Sequence, residues 1–424
     1  MESIRVLTSF DDTFPEQLVD GGATNGRAVI VADLLSRLRD DPLISDIRSI
    51  GASVSWKQRG IAPADHELGT LHDRTPTVWL ELGRHNLWPA HVFRSWCGLA
   101  VNAVVLAHSV GYSDHVFKNL ASLVGFRSGD VVLAPTAAAK QALSEQFNAL
   151  GSLLPSAPVE VHPQIEVLPW GVPVQPRSEA NPPEGDSSTP HLLVLGRYSP
   201  QDKLDWSATV EALRLLHRQG VSFSATMVGY DPGVGLPERL RAYFAEHGMS
   251  SQVDVAVNVS DRAKETLFAS SSILLSLSRT LSESFGLSVV EAMSRGVVPV
   301  VSSWGPYREI VRDEVDGKLV QTEWQSDADP SSIVNFYLGH GAHVGREVVI
   351  NAEAVAQALE ALLRDPKHLR ALSSNAVSHA RTAFSAERMY SGLRRRLFDA
   401  AIPMKRVEER SVPRHPFRHY PTLP

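Results

Sequence analysis

The sequence predicts an α/β protein of two domains, each with a parallel sheet, and three observations carry that expectation. At 424 residues the chain is longer than one hydrophobic core usually serves. Short apolar runs alternate with stretches of helical period in both halves, the pattern of strands buried between covering helices. Between the halves, residues 173–190 are rich in proline, serine and acids, which is linker chemistry.

In order along the chain, residues 4–9 read as a buried strand. A polar, glycine-bearing stretch (11–26) and a helix (27–39) follow. Further strands are expected at 77–82, 103–107, 130–134 and 165–169, and a helix starts near Thr136, which can cap it. After the linker, strands at 191–195, 222–228, 253–257, 273–277 and 297–302 alternate with helices at 205–219, 236–247, 261–269 and 285–294. Helices at 352–363, 369–382 and 386–397 close the pattern. Residues 322–346 read as an insertion, and the proline-rich stretch from 403 onward as a segment without core contacts. Residues 84–96, dense in aromatics and bases, read first as a helix packing its tryptophans inward, with an acceptor site or a membrane-facing patch as alternatives.

Composition narrows the function classes. The formal net charge of −6 argues against broad nucleic-acid binding, and the single cysteine, Cys97, rules out an internal disulfide framework and suits a reducing compartment. No apolar run reaches the roughly 18 residues of a spanning helix, and the first residues carry no basic leader. A cytoplasmic protein is expected, with peripheral contact at the inner membrane face left open.

Two clusters carry chemistry. Gly196-Arg197-Tyr198-Ser199-Pro200-Gln201-Asp202-Lys203 follows a strand directly. At a parallel strand's carboxyl end a glycine lets a ligand approach, and Arg197 and Lys203 together suit a diphosphate. A solvated turn with two surface cations would read the same way. In Glu283-Ser-Phe-Gly-Leu-Ser-Val-Val-Glu291 two carboxylates flank an expected loop-to-helix junction. Ser284 is the expected cap, and the N–H groups of Phe285, Gly286 and Leu287 would then point at an anion. Glu291, two turns into the helix, needs a partner if buried. A pair of ribose hydroxyls would serve, as would a salt bridge.

The Glu-x7-Glu arrangement, with Ala292-Met293, Gly296 and Pro299-Val300-Val301 after it, resembles the signature of retaining glycosyltransferases of the GT-B superfamily, of the family 4 type. Gly305-Pro306-Tyr307-Arg308-Glu309-Ile310-Val311 and Asp316-Gly317-Lys318-Leu319-Val320 resemble the loop and strand that follow in that family. Leu168-Pro169-Trp170-Gly171-Val172-Pro173 resembles the segment that closes the first domain. Pro306, where the family has a second glycine, and Leu204 after Lys203 are departures.

The resemblance implies two Rossmann-like domains facing across a cleft. The chain then divides into an acceptor-side domain (1–175), a linker (176–190), a nucleotide-sugar domain (191–382), a helix crossing back to the first domain (383–400) and a flexible tail (401–424). It implies that Arg197 and Lys203 hold the donor diphosphate beside Gly196, that Glu283 contacts the transferred sugar, and that Glu291 binds the ribose. Ser284, Phe285, Gly286 and Leu287 would present backbone to the donor, Gly22 would lie in a glycine-rich loop over it, and His108 would face the reacting sugar. Asp114 and His115 are alternatives for acceptor contact. The donor would be a nucleoside-diphosphate-sugar, with UDP the first choice, and neither cofactor nor metal would be needed. A sugar phosphorylase or nucleotide-sugar epimerase on the same fold is the rival reading, and a non-catalytic scaffold partner the other. Nothing in the sequence selects an acceptor or an oligomeric state.

Overall fold

The computed structural model describes residues 2–8, 26–50, 74–82, 87–108, 110, 125–152, 164–173, 189–199, 204–280, 283–324 and 348–403. They form two parallel sheets with helices on both faces. The first contains β1 (Ile4–Thr8), β2 (Ile44–Ser49), β3 (Pro76–Glu81), β4 (Asn102–Leu106), β5 (Val131–Ala134) and β6 (Gln164–Val167), in the order β2-β1-β3-β4-β5-β6. The side-chain period of two sorts its strands cleanly. Val6, Val78, Leu80, Val104 and Leu106 pack with Ile30, Val31, Leu34 and Leu38 of α1 (Gly26–Asp40). Leu7, Trp79, Ala103 and Val105 share a core on the other face with Phe93 of α2 (Trp88–Cys97) and with Leu143 and Phe147 of α3 (Ala137–Ser152).

The second sheet contains β7 (His191–Leu195), β8 (Ser224–Gly229), β9 (Val253–Val257), β10 (Ile273–Ser276), β11 (Val298–Ser302) and β12 (Lys318–Val320), ordered β12-β11-β10-β7-β8-β9. Its helices are α4 (Trp206–Arg218), α5 (Leu236–Glu246), α6 (Asp261–Ser270), α7 (Leu287–Ser294), α8 (Tyr307–Ile310), α9 (Ala352–Arg364) and α10 (Pro366–Ala383). Strand order reverses between β7 and β10, so the connections leaving them diverge and open a crevice at their carboxyl ends.

The structure adds one unforeseen strand and revises two expectations. The polar run Ile44-Ser-Asp-Ile-Arg-Ser forms β2, an edge strand unforeseen because only its first residue is buried. The expected insertion is bounded by an antiparallel ribbon, β13 (Thr322–Trp324) on β14 (Val348–Ile350), and 325–347 lie outside the described residues. The tail expected to run free from 401 begins as β15 (Ile402–Pro403), paired with Thr77 and Pro76 of β3. β4 starts at Asn102 opposite Val78, which leaves that edge of β3 open. Residues 404–424 and the linker residues 174–188 lie outside the described residues.

The chain crosses between the sheets twice, and the crossings are bonded to each other. Val172 donates to Phe384 O (2.9 Å), and Ala386 to Val172 O (3.1 Å). A Cβ on Gly171 would fall 2.3 Å from Ser385 O, so glycine is required there. α11 (Ala386–Ala400) then returns against α1, β3 and β4. Its Tyr390 donates to Asp41 (2.6 Å), and Arg394 pairs with the same carboxylate. On the other side Asp316, fully buried, takes His379 Nδ1 of α10 at 2.8 Å and Arg312 Nε at 2.5 Å.

Burial alone would raise both carboxyls, but these partners outweigh it and hold Asp41 and Asp316 below their ordinary values. A carboxyl that titrates lower in the folded chain adds stability above its unfolded pKa and loses it as pH falls through the folded one. Stability is therefore expected to drop below about pH 4 as α10 and α11 lose these anchors. The fall in melting temperature over that range should be shallower in Asp316→Asn, which starts less stable and has no such carboxyl to protonate.

Candidate active site

The loop after β7 is held at its root. A Cβ on Gly229 would fall 1.5 Å from Gly196 O, and one on Gly196 would fall 2.4 Å from Leu204 Cδ1, so the ends of β7 and β8 meet at backbone distance. Tyr198 is buried, stacks on Trp206 (5.1 Å) and donates to Met227 O (2.7 Å) and Ala256 O (3.0 Å). Burial pushes its phenol up, which keeps the hydroxyl a donor. With Tyr198 inside, Arg197 is exposed at the crevice mouth. Pro200 to Lys203 lie outside the described residues.

Beside it, the loop after β10 leads into α7. Its cap is Gly286 and not the expected Ser284; at φ 98° and ψ 57° Gly286 is in left-handed backbone, and no side chain caps this end. Glycine is needed twice over, since a Cβ would also fall 2.5 Å from Cε1 of Tyr307. Tyr307 lies fully buried beneath the loop, its hydroxyl 3.0 Å from Ser276 Oγ. Burial, and after it the charge of Glu283, raise the Tyr307 phenol. The Phe285 N–H reaches back to the Glu283 carboxylate (3.5 Å), so the turn presents the helix end from Leu287 onward. The Phe285 ring is wedged between Trp170 (5.7 Å) and Phe384 (5.8 Å), at the two crossings.

The first sheet meets this loop directly. Ser284, freed from capping, donates to His108 O (2.5 Å), and Thr136 donates to Ser284 O (3.0 Å). His108 follows β4, packs its ring at a tilt against Trp170 (centroids 4.7 Å apart) and is 4% exposed. Its Nε2 contacts Leu82 O; a carbonyl only accepts, so this nitrogen carries the proton. Across the same seam the Glu309 carboxylate accepts the N–H groups of Ala137 and Ala138, each at 2.7 Å.

Thus His108, Ser284, Phe285 and Gly286 are brought together between the two sheets. Glu291 is paired with Lys264 of α6 (2.7 Å), the salt bridge that the sequence left as its alternative partner. Gly22, Lys203, Asp114 and His115 lie outside the described residues, as do Arg84 to Asn86. Within α2 the buried groups include Phe93 and Arg94; the side chains of Trp88 and Trp96, on which the expected inward packing rested, lie outside the described residues. Sequence reasoning missed Lys264, Tyr307 and Glu309 as site neighbours. The last two stand inside the resembling segment 305–311, so position was a signal, but nothing local showed what they touch. Among the described residues no group of three or more His, Cys, Asp or Glu could hold a metal ion, and no helix is long and apolar enough to cross a membrane.

Comparison with known proteins gives the same picture. Residues 179–331 match a family model described as glycosyl transferases group 1. The chain is 30% identical over 135 residues to a GDP-mannose:cellobiosyl-diphosphopolyprenol alpha-mannosyltransferase of Xanthomonas oryzae, a match covering 31% of this chain and 33% of that protein. It thus spans about a third of the length of that curated relative. A glycosyltransferase from Rickettsia africae superposes with a TM-score of 0.61 at 15% identity, over 94% of this chain and 99% of the other. HepE from Anabaena, solved with UDP and glucose, does so with a TM-score of 0.60 at 15% identity, over 94% and 100%. Two doubly wound parallel sheets, joined by paired crossings and meeting at the carboxyl ends of their strands, are the GT-B fold.

Proposed function

We propose that this protein is a retaining glycosyltransferase of the family 4 type, moving a sugar from a nucleoside-diphosphate-sugar to a hydroxyl acceptor. The observation that carries the proposal is the Glu283–Gly286 turn. It stands at the carboxyl end of β10, beside the strand-order reversal, with His108 of the opposite sheet against it. In this reading Arg197 and Lys203 hold the diphosphate, each charge-assisted bond contributing about 1.5–3 kcal/mol. Their pull strengthens as the sugar–oxygen bond breaks and charge gathers on the leaving group. The start of α7 faces the phosphates, Glu283 takes sugar hydroxyls, and Glu291, steadied by Lys264, takes the ribose. Attack on the face that the diphosphate leaves lets the diphosphate accept the acceptor's proton, so neither a metal nor a second carboxylate is required.

UDP is the favoured nucleotide, supported by the HepE complex; the Xanthomonas relative, named for GDP-mannose, supports GDP as the second choice. A cytoplasmic location, with peripheral contact at the inner membrane face, belongs to the same proposal. Calorimetry with UDP, GDP, ADP and their common sugars on wild type and Lys203→Ala is the test. One nucleotide is expected to bind at micromolar strength and to lose about tenfold or more in the variant, the equivalent of one charge-assisted bond. No binding by any of them would overturn the proposal in favour of a non-catalytic scaffold. Transfer to an acceptor, as against phosphorolysis or release of free UDP with an altered sugar, separates it from the phosphorylase and epimerase.

A further inference from the structure

The N–H groups of Ala137, Ala138 and Ala139 precede the first intrahelical bond of α3 and need partners from outside its ladder. Ala139 donates to the Thr136 hydroxyl (3.1 Å) and Lys140 to the Thr136 carbonyl (2.9 Å), both within the same segment. Ala137 and Ala138 have no such local partner; they donate to the two oxygens of Glu309, which belongs to the other sheet's α8. The cap of this helix is therefore shared between the two halves of the molecule and is complete only while the cleft is closed. A carboxylate is well suited to the task, because it accepts two bonds at once and its charge opposes the positive end of the helix.

The same short helix carries Tyr307. Two residues before Glu309, its ring fills the space that a Cβ on Gly286 would need, and its hydroxyl meets Ser276 of β10. One rigid turn thus touches the first sheet's helix at one end and the floor of the Glu283–Gly286 loop at the other. The geometry points to Glu309 as a positioning residue. By capping α3 from across the cleft it holds the closed arrangement, and through α8 it seats the Glu283–Gly286 loop against His108. Opening the cleft leaves Ala137, Ala138 and Glu309 to water and frees α8 at the same moment, so closure and assembly of the loop are one event. The consequence for turnover rests on the transferase reading; the consequence for closure does not.

The experiment reads closure first, on the full chain without ligand, by small-angle X-ray scattering. Glu309→Ala removes the acceptor. Ala137→Pro removes one donor from the opposite side, at the first helical position, where proline fits the helix and its missing N–H is harmless to the helix itself. Each variant is expected to shift the scattering to a wider particle, and the double variant to be no wider than Glu309→Ala alone, because both act on the same contact. Unchanged scattering in both variants, a change in only one, or additive widening in the double would each overturn the proposal. With the nucleotide-sugar that calorimetry selects, kcat should fall about tenfold or more while the affinity for the nucleotide is largely kept, since Arg197, Lys203 and the start of α7, which hold the diphosphate in this reading, belong to the second sheet. A chain with no transferase activity that still widens would fail the functional reading and leave the latch intact. Lost turnover with unchanged scattering would do the reverse.

Discussion

Replacing Gly286 with alanine is expected to abolish most turnover while both sheets remain folded. The position sits at φ 98°, where an L side chain is strained by about 1–3 kcal/mol. The added methyl would also fall 2.5 Å from a ring carbon of Tyr307. That ring cannot retreat, because it is fully buried and its hydroxyl is bonded to Ser276. The loop must therefore lift, carrying Glu283 and the start of α7 away from the crevice. Displacements near 1 Å cost about 10²-fold in rate where reacting groups must be aligned. Steady-state transfer and a melting curve on the same sample are the measurements. A drop of about 10²-fold in kcat/KM with only a modest loss of stability is expected, and unchanged kinetics would remove this turn from the site.

The second large effect is on stability. Arg94 and Asp130 have fully buried side chains and face each other across the first sheet's core. The guanidinium donates twice to Asp130 and also to Val101 O (2.7 Å) and Gly125 O (3.0 Å). Asp130 in turn accepts the N–H groups of Ala103 (2.7 Å) and Arg127 (2.9 Å). Arg94→Ala strands a buried carboxylate and two carbonyls, and should cost about 3–5 kcal/mol in denaturant unfolding at neutral pH. Arg94→Lys should rescue little of it, since one ammonium cannot reach four acceptors set out for a planar fork. An apolar pair at both positions does not restore stability either, because the N–H groups of Ala103 and Arg127 lose their acceptor. A loss under about 1 kcal/mol in Arg94→Ala would show that water takes over these bonds.

These two sites differ in how far the sequence foreshadowed them. The Glu283–Glu291 stretch stood out from its residues alone, and a glycine at its centre hinted at close approach. Yet the reading placed the helix cap on Ser284, because serine is the usual capping residue and the competing partner, His108 O, is 176 positions away. Arg94 sat in a stretch that local pattern could only describe as rich in aromatics and bases; its four acceptors come from loops that the sequence does not bring together. β2 escaped notice because an edge strand with one buried residue has no apolar period to see. β15 is two residues long and takes its meaning from a gap in a distant sheet.

Apolar runs of four to six residues, alternating with amphipathic helices, were enough to establish an α/β chain with parallel sheets, because strands covered on both faces must be apolar throughout. Residue type and spacing were likewise enough to single out Arg197, Lys203, Glu283 and Glu291 as candidates for the site. Which groups meet across the cleft was decided only by the folded chain. Thr136 reaches Ser284, Ser284 reaches His108, and Glu309 caps α3 through contacts between residues separated by 148 to 176 positions. Periodicity is a property of neighbours along the chain, whereas a shared helix cap depends on how two separately built sheets come to rest against each other.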